Sequence, residues 1–194
     1  MVIPPETLLR AYASGIFPMA DGQNGPVMWY SADPRGVLDF KDFHCPRRLR
    51  RTIRQEKYYI TFDRDFNQTI KNCADVPRGG TWISEEIIKS YILLHEVGYA
   101  HSVESWNKDG KLVGGLYGVA LRGMFFGESM FHFERDASKV AFVKLVDRLI
   151  KRKYVLLDMQ MVTNHMRQFG GKLISHKKYI TILKHGLEKD CKFD

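Results

Sequence analysis

Two polar sets interrupt apolar stretches of this chain: Glu128 within Gly123-Met-Phe-Phe-Gly-Glu-Ser-Met-Phe131, and Asp158 with Gln160 within Leu157-Asp-Met-Gln160. On a strand, residues two apart share a face. Asp158 and Gln160 should therefore point together with Met159 pointing away, and Phe126, Glu128 and Met130 should share one face of their own strand. Two carboxylates and an amide would then converge in an apolar wall of Met124, Phe126, Met130 and Leu157. Burial and mutual repulsion raise carboxylate pKa values in such a pocket, and the pocket suits a cationic amine. The alternative is purely structural, with Asp158 capping a strand end and Glu128 answering an Arg or Lys across a sheet.

Other chemistry is less well supported. His95-Glu96 opens like a zinc-protease motif, but its second histidine would fall on Tyr99 and Gly98 ends the helix, so no metal is expected. Neither phosphate-cradling glycine pattern, Gly-x-x-x-x-Gly-Lys-Ser/Thr or Gly-x-Gly-x-x-Gly, occurs, and Ser129 and Ser138 lack the surroundings of a nucleophile. Cys45, Cys73 and Cys191 are odd in number and widely spaced, giving neither a disulfide framework nor a metal spacing.

The elements that must position the polar sets follow from periodicity. From Ala100 the apolar period becomes two, predicting strands over 100–106, 111–120 and 124–131 with turns at Asn107-Lys-Asp-Gly110 and Arg122-Gly123. Asp136 precedes a helix over 137–153, where Phe142, Leu145, Val146, Leu149 and Ile150 recur at three and four residues. Residues 154–159 read as a buried strand because Val155, Leu156 and Leu157 run together. A strand, a helix and a strand at crossover distance make the strands of Glu128 and Asp158 neighbours in a mixed sheet. This α+β pattern resembles the acyl-CoA N-acyltransferase superfold, in which two parallel strands splay apart around the acyl group.

Upstream, Pro4-Pro5 and Gly15 bracket a short helix. Residues 18–36 read as irregular, and the turn chemistry of Asp33-Pro-Arg-Gly36 places a boundary between a small N-terminal lobe, 1–34, and a catalytic domain, 35–194. A basic helix is expected over 43–55, with Leu49 and Ile53 as its thin apolar stripe, then a strand over 58–62. Asp65 and Ser84 cap two packing helices. A short helix over 164–169 and a last one over 176–187 follow the buried strand.

In 194 residues, 44% hydrophobic content supports a real core. Thirty Lys and Arg against 22 Asp and Glu give a net charge of +8, which favours a polyanionic partner such as RNA. With no apolar run of about 18 residues and no secretory signal at the start, a cytoplasmic protein without membrane contact is expected.

Taken in order, Gly15-Ile-Phe-Pro18, Trp29-Tyr-Ser-Ala-Asp-Pro-Arg35, Gly80-Thr-Trp-Ile83, Leu94-His-Glu-Val-Gly-Tyr-Ala-His-Ser102, Leu112-Val-Gly-Gly-Leu-Tyr-Gly-Val119, Phe126-Gly-Glu-Ser-Met-Phe131, Ala137-Ser-Lys139 and Leu157-Asp-Met-Gln160 resemble the leucyl/phenylalanyl-tRNA-protein transferases across nearly the whole chain. The resemblance implies transfer of leucine or phenylalanine, with methionine a further donor, from aminoacyl-tRNA to proteins with N-terminal Arg or Lys, marking them for degradation. By the same resemblance Glu128, Asp158 and Gln160 are the catalytic positions. Trp82 with Met19 and Tyr12 would bind the aminoacyl-tRNA end, where a stacked base contributes about 1 to 3 kcal/mol. Leu116, Met130, Leu145, Leu149 and Leu157 would line the donor side-chain pocket.

Asp158 is expected to orient Gln160 and the incoming amine, and Glu128 to position amine or donor electrostatically. Arg47, Arg48, Arg50, Arg51 and Arg54, with Lys144, Arg148, Lys151 and Arg152, are candidates for the tRNA backbone. The chain departs from the family pattern in lacking a Gly-Gly-Asp-Leu-rich stretch ahead of the first helix, and in carrying Met19 where tryptophan usually follows Gly-Ile-Phe-Pro. His132-Phe-Glu-Arg-Asp-Ala-Ser-Lys139 has no glycine-rich turn for a coenzyme pyrophosphate, so coenzyme A is disfavoured and no cofactor is expected. The rival functions are an acetyl-CoA-dependent N-acetyltransferase and a non-catalytic tRNA-binding module.

Overall fold

A computed structural model describes residues 2–76 and 80–194. Seven strands form one mixed sheet in the order β4-β5-β6-β7-β8-β3-β9: β3 Arg35–Leu38, β4 Tyr59–Phe62, β5 Ala100–Trp106, β6 Leu112–Leu121, β7 Met124–His132, β8 Leu156–Gln160 and β9 Lys172–Ile174. The predicted meander is β5, β6 and β7, paired antiparallel. The 15-residue helix α5, Ala137–Lys151, then carries the chain to β8, which pairs parallel with β7. A crossover of this kind is the usual way to join parallel neighbours.

Helices cover both faces. On one lie α1 Pro5–Ala13, α3 Phe66–Ala74, α4 Glu85–Glu96 and α7 His176–Leu187, which pack Tyr12, Ile70, Tyr91 and Tyr179 into a cluster with Tyr117, Phe126 and Leu156 of the sheet. On the other, α5 lays Phe142, Leu145, Val146 and Leu149 against Leu116, Phe125 and Leu157, beside α2, Arg47–Arg54, and the short α6, Asn164–Arg167. Asp65 and Ser84 cap α3 and α4 by accepting from Gln68 N and Ile87 N, as their types predict. No helix among the described residues is long and apolar enough to cross a membrane.

Four strands escape the sequence reading, the three-residue β9, Lys172–Ile174, among them. Residues read as irregular contain β1, Phe17–Ala20, and β2, Val27–Tyr30, a separate antiparallel pair. Their four-residue lengths and non-alternating exposure leave no period-two signal. The turn expected at Asp33-Pro-Arg-Gly36 instead leads straight into β3, which lies between β8 and β9. All four of its residues are buried, Arg35 included. The helix expected over 43–55 begins only at Arg47, because Pro46 stands at its N-cap.

Candidate active site

The parallel pairing of β7 and β8 covers only Met124↔Leu156, Phe125↔Leu157 and Phe126↔Asp158. Beyond Phe126, β7 runs on to His132 along β6 alone, and β8 leaves it. A cavity of about 490 Å³ opens where they diverge. Leu116, Met130, Leu145, Leu157 and Met159 give it apolar walls, Phe17, Met19 and Trp82 line it from the N-terminal side, and Glu128 and Gln160 supply charge and amide.

A β-bulge places Glu128. Across β6, Gly118 faces Gly127 and Tyr117 faces Ser129, so Glu128 is the extra residue without a partner. The backbone can come this close only at a glycine, since a Cβ on Gly118 would lie 2.3 Å from the Phe126 carbonyl oxygen. The bulge also reverses the alternation. Phe126 packs on the α4 face and Met130 on the α5 face, so the expectation that Phe126, Glu128 and Met130 share a face fails. Met124 and Phe126 are likewise absent from the cavity wall, which Met130 and Leu157 do line.

Glu128 accepts from Tyr12 Oη at 2.7 Å, from Gln160 Nε2 at 3.3 Å and from Tyr91 Oη at 3.5 Å. The two tyrosine hydroxyls also bond to each other. Burial pushes the Glu128 carboxyl up to about 8, with Asp158 nearby raising it further; the hydrogen bonds from Tyr12 and Tyr91 and the charge of Arg35 oppose the rise. Burial, then the Glu128 charge, raises both tyrosine hydroxyls well above their ordinary value, so they remain donors.

Asp158 stands behind this group, fully buried. Its Oδ1 accepts from Arg35 Nε at 2.9 Å and from Gln160 N at 2.9 Å; its Oδ2 accepts from Arg35 Nη2 at 2.8 Å and Tyr179 Oη at 2.6 Å. Arg35, also fully buried, donates through Nη1 to Gly15 O at 2.9 Å and lies against the rings of Phe17 and Tyr179. The paired charge and four hydrogen-bond donors satisfy a carboxylate that would otherwise be costly to bury. Asp158 therefore does not line the cavity, and the expected convergence of two carboxylates in one wall is replaced by one carboxyl in front and one behind. Its link forward is the Gln160 backbone, held at a left-handed φ of 55°, which turns the Gln160 amide toward Glu128.

The remaining predicted residues divide clearly. Trp82, Met19, Leu116, Met130, Leu145 and Leu157 line the cavity. Tyr12 does not, and acts on it through Glu128. Leu149 lies in the core beneath α5, outside the cavity, because it falls on the stretch of helix already covered by the sheet. Arg47, Arg48, Arg50, Arg51 and Arg54 are exposed on α2, and Lys151 and Arg152 are exposed at the end of α5. Lys144 is partly buried near Asp147. Arg148 is turned inward: its guanidinium lies 3.6 Å from the Phe62 ring centroid and donates to Phe193 O. It is thus engaged in packing, unlike the other basic residues assigned to the tRNA backbone. Sequence reasoning missed Arg35, Tyr91 and Tyr179. Arg35 was concealed in a turn-like tetrapeptide, and both tyrosines sit among apolar helix residues whose spacing signals packing alone.

An apolar chamber headed by a carboxyl and an amide, with two phenols behind the carboxyl, suits an apolar acyl donor and the nucleophile that takes it, as in an acyl-group transferase. The family model for leucyl/phenylalanyl-tRNA protein transferase matches residues 37–184, and the model for the N-terminal domain of those enzymes matches residues 1–33. A leucyl/phenylalanyl-tRNA--protein transferase of Gloeobacter violaceus is 51% identical over 193 residues, covering 100% of this chain and 98% of its own length. That of Maridesulfovibrio salexigens is 47% identical over 189 residues, covering 96% of this chain and 78% of its own. Among solved structures, L-PGS from Bacillus licheniformis is similar at a TM-score of 0.47 and 14% identity, over 92% of this chain and 61% of that one. The chain belongs to the leucyl/phenylalanyl-tRNA protein transferase family, and is an aminoacyltransferase.

Proposed function

We propose that this enzyme moves a leucyl or phenylalanyl group from the 3′ end of a tRNA to the α-amino group of a protein, with N-terminal Arg or Lys as the preferred acceptors, in the cytoplasm. We read residues 35–194 as an acyl-CoA N-acyltransferase-like catalytic domain and 1–34 as its small N-terminal lobe. The observation that carries this reading is the cavity at the β7/β8 divergence, apolar in its depth and headed by Glu128 and Gln160. Unbranched or γ-branched side chains fit such a chamber between Leu116, Met130, Leu145 and Leu157, with the ester carbonyl left beside Glu128.

The reaction is downhill, since an activated ester becomes an amide. The amine nitrogen attacks the ester carbonyl carbon, the bond from that carbon to the ribose oxygen breaks, and one proton passes from nitrogen to the ribose oxygen. An α-amino group titrates at about 7.7 to 8.0. Glu128, raised to about 8, is matched to it, and matched acids and bases exchange protons efficiently. Glu128 is therefore the group that receives the amine proton and returns it to the ribose, and its carboxylate form also attracts the positive charge of a basic acceptor. Gln160 aligns Glu128 and the ester through its amide. Asp158, with Arg35 and Tyr179, holds the Gln160 backbone in place. Trp82 stacks the terminal adenine, with Met19 beside it in place of a second ring.

The test is transfer of labelled Leu, Phe or Met from tRNA to peptides beginning with Arg, Lys, Asp or Glu. Transfer of Leu and Phe to the basic peptides is the expected result, and preference for acidic peptides would overturn the acceptor assignment. Glu128→Ala and Gln160→Ala should each lower kcat by about 10²-fold or more, and wild-type rates in both would remove them from the mechanism.

A further inference from the structure

A second cavity, of about 170 Å³, opens beside the first and shares His132 and Ser138 with it. Its other lining residues are Arg48 of α2, Arg135 and Asp136 of the turn after β7, and Lys139 in the first turn of α5. Three permanent cations thus face one carboxylate. That carboxylate, Asp136, lies 2.9 Å from Lys139 Nζ and 3.9 Å from Arg135 Nε, so it answers part of the charge and leaves two positive charges in excess. Although Asp136 stands at the N-cap of α5, its side chain makes no cap hydrogen bond, leaving the helix terminus without an anionic cap. Ser138, only 3% exposed, lines both cavities, and its hydroxyl has no hydrogen-bond partner among the described residues. Arg135 is anchored at its backbone, whose carbonyl accepts from Tyr58 Oη at 2.8 Å, while its side chain is exposed.

We infer that this cavity is a phosphate subsite for the donor, taking a phosphodiester of the nucleotides next to the aminoacylated terminal adenosine. The inference rests on the tRNA-dependent reading given above. A phosphate offers several acceptor oxygens and a negative charge. The excess cations, the free Ser138 hydroxyl and the positive end of a 15-residue helix supply the complementary donors and field. The 132–139 segment, whose missing glycines argue against a coenzyme pyrophosphate held by backbone N–H groups, would instead hold phosphate through side chains. Its position matters as much as its charge. Only Ser138 and His132 separate it from the acyl cavity, so a phosphate seated here fixes the ribose of the terminal nucleotide relative to Glu128. The exposed arginines on the rest of α2 cannot do this, since they face open solvent and serve the backbone farther along the acceptor strand.

The test uses the intact chain and two probes, adenosine and the uncharged trinucleotide CpCpA. Wild-type protein should bind CpCpA about tenfold or more tightly than adenosine, with log Kd rising against log salt by about 0.7 for each phosphate contact. In Arg135→Ala/Lys139→Ala that advantage should drop to within about threefold and the salt slope should fall by about 0.7 to 1.4. Adenosine binding and transfer from phenylalanyl-adenosine should stay near wild type, which also shows the variant is folded. Asp136→Asn removes the counter-charge while tolerating the left-handed φ of 65°, and should strengthen the CpCpA advantage. An unchanged CpCpA-to-adenosine ratio in the double variant, or a weakened one in Asp136→Asn, overturns the subsite. Absence of transfer from phenylalanyl-adenosine in wild type would instead strike at the tRNA-dependent reading, and the binding ratio would still decide the subsite.

Discussion

Replacing Glu128 by glutamine tests whether burial raises the carboxyl at the head of the cavity into the range of an α-amino group. In the unfolded chain this carboxyl titrates near its ordinary value of about 4.3, whereas burial in the fold raises it to about 8. The folded state therefore binds the proton more tightly. The stability this contributes is fully present below about pH 4.5 and is lost as pH rises through about 8. A gap of about 3.7 pH units corresponds to an upper bound of about 5 kcal/mol. Glu128 is half-buried at the cavity wall, and cavity water screens part of that penalty, so about 2 to 4 kcal/mol is the expected loss between pH 5 and 9. Glutamine preserves the shape and can still accept from Tyr12 and Gln160, but it cannot ionise. Urea denaturation at intervals from pH 5 to 9 should show wild-type stability falling relative to Glu128→Gln by that amount, because every other titrating group is common to both chains. Parallel curves would refute the raised Glu128 carboxyl and, with it, the matching of Glu128 to the acceptor amine.

Three further outcomes follow from the same geometry. Leu145→Phe fills the donor end of the cavity, so the ratio of phenylalanine to leucine transfer should fall roughly 10- to 100-fold; an unchanged ratio in competition assays would move the donor side chain elsewhere. Arg35→Met leaves the buried Asp158 carboxylate without its counter-ion and should cost about 3 to 5 kcal/mol in urea unfolding, whereas a loss below about 1 kcal/mol would mean that Tyr179 and the Gln160 N–H suffice. Gly36→Ala would put a Cβ 2.6 Å from the Met161 carbonyl carbon, so the backbone after Gln160 must shift; the expected outcome is a loss of about 1 to 3 kcal/mol with a lower kcat in the fraction that stays folded, and full activity per folded molecule would show that Gln160 tolerates the shift.

What was legible in the sequence was what repeats along it. The meander from Ala100 to His132 and the stripe Phe142, Leu145, Val146 and Leu149 on α5 carry many residues per element, so a period emerges, and the parallel neighbours bearing Glu128 and Asp158 follow from the crossover alone. β3 carries no such period. Its Arg35 is buried only because Asp158, 123 residues later, neutralises it, and nothing local in Asp33-Pro-Arg-Gly36 distinguishes that arginine from one in an exposed turn. The bulge at Glu128 is equally silent, since one extra residue changes the face of every side chain after it without changing composition. The glycines at 118 and 127 were its only trace.

The site therefore depends on two departures from regular strand geometry. Had β7 continued without a bulge, Glu128 would occupy a paired position on β6 and Met130 would face α4, removing a wall of the donor cavity. Had Gln160 kept an extended backbone, its side chain would follow β8 away from Glu128. Each departure is held from outside its own strand: the bulge by Gly118 and by the hydroxyls of Tyr12 and Tyr91, the Gln160 turn by Asp158 with Arg35 and Tyr179. Tyr12 comes from α1, and Arg35 is tied to Gly15 at the end of α1. The first helix is therefore part of the carboxyl chemistry, setting through Tyr12 how strongly Glu128 holds its proton. It does this from a residue that never touches the cavity.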